Sequence, residues 1–294
     1  MAISVTGGAW GAYLSGRGIF GCAYADKVAA SVDSVDITVT GGKMGNVYGG
    51  GWAQNGGTST VTGAVNITIA GDAEINNVFG GGSYSVNGNQ GETSVGSVSI
   101  TVSGGSIANN IFAGGQKEFS TVAGDVSVIF TGSNDYACNV YGYVIPVSAT
   151  EAGDKTLAFV NYTGILSGDI GGFDGIVFTG DTATTLRGAT IGNDDWTFDY
   201  AGRTLDAAAA MVTFAEGTFA GDKVAVDLSA AEQVAGGWSI AAGLTAADAT
   251  FGVELATGSA TGLALGDALG DAYGIYEGWG FTLEDSTLKF KQLA

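Results

Sequence analysis

The side chains that could do chemistry are few and mostly of one kind. The 294-residue chain carries 29 Asp and Glu, 10 Lys and Arg and no His, for a net charge of −19. Without imidazole there is no Ser-His-Asp or Cys-His nucleophile and no His-ligated metal. The excess of carboxylates repels phosphate backbones, so no nucleic-acid partner is expected. Asp169, Asp174, Asp181 and the pair Asp194-Asp195 lie in Gly-rich stretches, where clustered oxygens would suit Ca²⁺. Neither the EF-hand spacing nor a Ca²⁺-binding nonapeptide array accompanies them. Solvated turn residues are the expectation, with no cofactor and Ca²⁺ as the single metal to weigh. Two carboxylates flanking a sugar bond would make a glycosidase. The acids, however, do not recur on one face of successive repeats, and Lys43 and Lys117 are scattered. A third chemistry is the hydroxyl set Ser4, Thr6, Thr38, Thr40, Thr68, Thr101, Ser103 and Thr131. Outward at regular spacing, it would suit ice or a crystalline glycan, although Ala70 and Ile129 interrupt it and outward Thr is ordinary in strands. Asn66-Ile67-Thr68 and Asn161-Tyr162-Thr163 match the glycosylation acceptor pattern, which is frequent by chance.

What must position these groups is a repeat. Strands that alternate apolar and polar residues read Val35-Asp36-Ile37-Thr38-Val39, Val65-Asn66-Ile67-Thr68-Ile69 and Val98-Ser99-Ile100-Thr101-Val102, with Ile3-Ser4-Val5 before them and Val126-Ser127-Val128-Ile129-Phe130 after. Side chains alternate between the two faces of a strand, so the Val and Ile positions of each copy share one face. A second element follows each strand: Ile19-Phe20-Gly21, Asn46-Val47-Tyr48-Gly49, Asn77-Val78-Phe79-Gly80, Asn110-Ile111-Phe112-Ala113 and Asn139-Val140-Tyr141-Gly142. Its aromatic position advances by 28, 31, 33 and 29 residues, read from those numbers. The length changes fall in the loops 53–63 and 83–96, the pattern of stacked coils.

One coil cannot bury its own apolar face, but stacking at ~4.8 Å per rung pairs each backbone with the next and sets like over like. The reading is all-β: a parallel β-helix of about five to seven coils. Phe20, Tyr48, Phe79, Phe112 and Tyr141 then form a ring stack. Adjacent apolar residues cannot both point inward, so one row of this second element faces out or sits at a bend. Asn46, Asn77, Asn110 and Asn139 form a side-chain amide ladder, placed at a corner because Asn tolerates left-handed turns. The glycine after the aromatic serves a positive φ or a close backbone approach. Cys22 and Cys138 fall four rungs apart, about 19 Å, too far for a bridge, and read as buried thiols.

The pair ITVTGG and NVYGGG resembles the glycine-rich β-solenoid repeats of bacterial surface proteins, such as autotransporter passenger domains and repetitive adhesins. The resemblance covers roughly residues 1–145 and implies action in adhesion or self-association at a cell surface. It carries no catalytic residue with it.

Beyond this the pattern loosens. Short strands are expected at 156–162, 175–180 and 195–200, a short helix at 229–236 from the capping box Ser229-Ala230-Ala231-Glu232, and a hairpin across 278–291. The domain reading is a parallel β-helix over 1–202 and a C-terminal β-rich cap over 203–294, since a solenoid end needs covering. No leader peptide precedes Ile3 and no apolar run is long enough for a membrane helix. The expected setting is extracellular or cell-surface, on a processed or excised chain without membrane insertion. The expected role is a non-enzymatic structural or adhesive scaffold or filament subunit. Its partners would be further copies, through an open β-helix end, and a host or surface glycan or protein. The alternative is a glycan-binding or polysaccharide-cleaving β-helix using loop Asp residues.

Overall fold

The structure is a computed structural model. It describes residues 1–10, 18–84, 90–116, 120–143, 153–188, 191, 195–200, 202–215, 223–227, 237–243, 252–256, 273–276, 279–285 and 287–292. All regular elements among the described residues are strands. The fold is the parallel β-solenoid expected from the repeat. The helix expected at 229–236 lies outside the described residues. Two compact units divide the chain, Met1–Phe130 with Tyr136–Leu157, and Thr131–Asp135 with Ala158–Ala294.

In the first unit the alternating strands lie over one another in register. Ile3 pairs with Ile37, Ile37 with Ile67, Ile67 with Ile100 and Ile100 with Val128, all parallel. The inward residues Val35, Ile37, Val39, Val65, Ile67, Ile69, Val98, Ile100, Val102, Val126 and Val128 are buried. This aliphatic column is the core. At about 1.5–3 kcal/mol per fully buried Val, Ile or Leu it is the main favourable term of the unit. After each such strand the chain turns at a glycine with positive φ: Gly42 at 90°, Gly71 at 62° and Gly105 at 70°.

Segments expected to be variable loops carry two more walls. Tyr24–Asp26 pairs with Trp52–Gln54, and that strand with Ser83–Tyr84. Ala29–Val32 pairs with the start of Thr58–Ile69, which pairs with the start of Glu92–Val102, and that with Ser120–Val122. These strands are short and joined by connections of unequal length, so no fixed period betrays them.

The second unit stacks on a shorter repeat. Gly175–Thr179, Asp195–Asp199, Lys223–Asp227 and Gly252–Ala256 are successive parallel neighbours. The pairing pattern therefore does not change at residue 202; parallel rungs continue through the segment read from sequence as a cap. Antiparallel pairing begins where Thr287–Gln292 lies against Trp238–Ala242. The hairpin read at the end of the chain is present, with Trp279–Glu284 against Thr287–Gln292, Glu284 opposite Thr287, and Asp285 at φ 46° in the turn. The core here is aromatic. Phe159, Phe178 and Phe198 are stacked with centroids 5.1 Å apart at each step, and all three are fully buried.

Candidate functional site

The second element of each coil puts three columns side by side. Val47, Val78, Ile111 and Val140 point inward and are fully buried. The residues before and after them, Asn and aromatic, therefore share the opposite face. The rings stack as expected: Phe20 on Tyr48 at 4.6 Å and 1° between planes, Tyr48 on Phe79 at 4.8 Å and 6°. Phe79 on Phe112 follows at 5.2 Å and 9°, and Phe112 on Tyr141 at 5.5 Å and 23°. Although this face is outward, Tyr48 and Phe79 are only 0% and 5% exposed. Trp52 stands edge-on to Phe20 at 5.8 Å.

The amides form the ladder. Asn139 Nδ2 donates to Asn110 Oδ1 at 3.0 Å, Asn110 Nδ2 to Asn77 Oδ1 at 3.1 Å, and Asn77 Nδ2 to Asn46 Oδ1 at 2.9 Å. The relay then leaves the column. Asn46 Nδ2 donates to the Tyr48 hydroxyl at 2.9 Å, and that hydroxyl to Gln116 Oε1 at 3.1 Å, which also accepts from Ser83 Oγ at 2.7 Å. Gly18 occupies the next Asn position; a Cβ there would lie 2.3 Å from the Asn46 carbonyl oxygen. Burial pushes the Tyr48 phenol above its ordinary pKa, partly opposed by the Asn46 N–H.

The position of the Asn row differs from the corner expected. All four residues lie within strands, paired Asn46 to Asn77, Asn77 to Asn110 and Asn110 to Asn139, and none has a positive φ. The turns are made by glycine, and Asn is used for its two-ended amide. The glycine after the aromatic serves close approach. A Cβ on Gly49 would stand 2.1 Å from the Gly80 carbonyl oxygen and 2.3 Å from Val65 Cγ1.

Sequence reasoning missed a buried hydroxyl row. Ser59, Thr93 and Ser120 are in register and buried. They pack against Gly51, Gly82 and Gly115, whose absent Cβ atoms leave the room. Ser59 Oγ donates to the Ala23 carbonyl at 2.9 Å and Ser120 Oγ to the Gly82 carbonyl at 3.0 Å, while Thr93 Oγ1 has no partner. The third glycine of each GGG was the signal.

The reactive candidates are dispersed. Cys22 and Cys138 are free and buried, and burial pushes the Cys138 thiol up to about 12. Asp181 accepts from the backbone N–H and hydroxyl of Thr204 and from the Leu205 N–H, bonds that hold its carboxyl below the ordinary range. Asp174 and Asp195 are exposed and Asp169 half-buried; Asp194 and Lys117 lie outside the described residues. Among the described residues no three acidic or thiol side chains gather as a metal site. Lys43 pairs with Glu74 at 2.5 Å, both side chains more than half exposed, beside a shallow groove of about 60 Å³ that Asn76 and Ser106 also line. Both sequon asparagines are exposed. Asn66 donates to Asp36 Oδ1, and Asn161, at φ 50°, accepts from the Asp181 N–H.

The outward hydroxyls fall into columns. Ser4, Thr38, Thr68 and Thr101 are successive partners, and Ile129 ends the column. Thr6 slips out of line and pairs with Gly41. Comparison with family models, with curated proteins and with solved structures finds no match for the chain.

Proposed function

We propose that the protein is a non-enzymatic structural or adhesive scaffold, acting outside the cell or at its surface. This is the role of the glycine-rich surface solenoids that its repeats resemble. The observation that carries the reading is the use made of its most repeated side chains. Phe20, Tyr48, Phe79, Phe112, Tyr141, Asn46, Asn77, Asn110 and Asn139 each bind the like residue of a neighbouring rung. Side chains occupied in this way stiffen a rod and leave its outer walls to meet a surface.

End-to-end association belongs to the same reading. The open ring face of Phe20 and the free edge of the strand Ala2–Trp10 would accept one more coil of the same chemistry. Met1, Tyr24 and Val28, 56%, 60% and 58% exposed, lie in the same coil. Negative-stain electron microscopy at rising protein concentration tests this: rods that lengthen with concentration are expected. Single particles of constant length would refute the association. Release of reducing sugar from a polysaccharide by the purified chain would refute the non-enzymatic role.

A further inference from the structure

The first unit presents a wall that is unusual for so acidic a chain. Three columns of outward residues run across its rungs in register. Ser31, Thr60, Ser94 and Thr121 make one. Asp36, Asn66, Ser99 and Ser127 make the second, and Ser4, Thr38, Thr68 and Thr101 the third. Every one of these residues is exposed or half-buried. Asp36 is their one ionisable side chain, in a chain with 29 acids, and its carboxylate already accepts from Asn66 Nδ2 at 2.8 Å. The hydroxyls are oriented along the columns: Ser94 Oγ donates to Thr60 Oγ1, and Ser127 Oγ to Ser99 Oγ, both at 3.1 Å.

We propose that this wall docks on an uncharged, sheet-forming polysaccharide. The proposal rests on the scaffold reading and names the surface to which the scaffold adheres. The argument is one of chemical and charge complementarity. A wall without Lys or Arg, on a molecule of net charge −19, offers nothing to an anionic polymer and is repelled by it. A cationic partner would be drawn to carboxylates elsewhere, not to this wall. Hydroxyl and amide groups both donate and accept, which is the pattern a neutral glycan surface also presents. Each contact is weak alone, but columns fixed at ~4.8 Å spacing present many at once to a partner that is itself periodic, so the contacts add by multivalency. The rigid ladders beneath mean that little side-chain or backbone ordering is required on binding.

The test is depletion of the full chain from solution by microcrystalline cellulose, with polygalacturonate beads as the anionic comparison. Retention on cellulose and not on polygalacturonate is expected. Thr68→Glu, at the centre of the third column, should reduce retention at least tenfold. Thr68→Val keeps the β-branched shape and should reduce it two- to threefold with unchanged circular dichroism. Ser106→Glu, on the neighbouring wall, should leave retention as it is. No retention of the wild-type chain, or retention that Thr68→Glu and Thr68→Val do not alter, overturns the proposal. Freezing hysteresis without retention overturns it too, and assigns the hydroxyls to ice. The scaffold reading falls by a different result, particles of constant length in the microscope, so the two failures are distinguishable.

Discussion

Asn77→Ala removes the middle of the amide ladder. Asn77 donates to Asn46 Oδ1 at 2.9 Å and accepts from Asn110 Nδ2 at 3.1 Å, so two bonds are lost together. Each is worth about 0.5–1.5 kcal/mol net. Asn46 is only 9% exposed, so its Oδ1 loses a partner with little water to replace it, a further cost of about 1–3 kcal/mol. The expected destabilisation is about 2–4 kcal/mol. With a urea dependence of ~3 kcal/mol/M, the midpoint should fall by roughly 1 M. Asn76→Ala is the internal comparison: its Oδ1 accepts from Asn109 Nδ2 at an exposed position, and it should cost less than about 1 kcal/mol. The double variant Asn77→Ala with Asn110→Ala should cost about 1 kcal/mol less than the sum of the singles, because they share one bond. A midpoint for Asn77→Ala within the ~0.5 kcal/mol scatter of surface substitutions would refute the ladder as a source of stability.

Two further outcomes follow from the packing. Gly49→Ala should destabilise by more than about 3 kcal/mol, because its Cβ would meet the Gly80 carbonyl and Val65. Gly56→Ala, at φ 80° with nothing within 4 Å, should cost only the ~1–2 kcal/mol of left-handed strain; equal denaturation midpoints would contradict the close approach. Cys138 is fully buried with its thiol pushed up to about 12, and Tyr136 likewise reaches about 12. The unfolded thiol ionises near ~8.5 while the folded one keeps its proton. The unfolded state then binds fewer protons, so stability is full below that pH and falls as pH rises toward 12. Urea midpoints from pH 8 to 11 should fall, and Cys138→Ala should flatten the slope. An unchanged slope would remove Cys138 from the account.

The legible part of this fold is the part where one rung dictates the next. Val35, Ile37 and Val39 alternate with polar residues, and their copies return at nearly constant spacing, so both the strand and its inward face could be read. The ring stack was legible for the same reason: Tyr48 over Phe79 is one position seen twice. The Asn row was read for the preference of isolated Asn for turns, whereas stacking rewards an amide that donates upward and accepts downward. The row of Ser59, Thr93 and Ser120 was invisible because 8, 11 and 5 residues separate them from Gly51, Gly82 and Gly115, as the numbering gives. The second unit hid itself by changing period. Phe159, Phe178 and Phe198 are 19 and 20 residues apart, so a search at thirty finds nothing there.

The same logic separates what stacking requires from what it merely tolerates. Where a position meets its own copy across ~4.8 Å, any crowding recurs on every rung, and only a shape that fits itself survives. Gly49 under Gly80, or Val47 under Val78, is fixed in this way from within. Outward positions on the main wall are under no such constraint. Ala70 and Ile129 stand there without disturbing the register of Thr68 or Val128. Strand propensity alone would accept Val, Tyr or a charged residue at these sites as readily as Thr. Ser4, Thr38, Thr68 and Thr101 nonetheless keep one chemistry over four rungs, and so do Ser31, Thr60, Ser94 and Thr121. A repetition that the interior does not demand is best accounted for by something periodic on the outside.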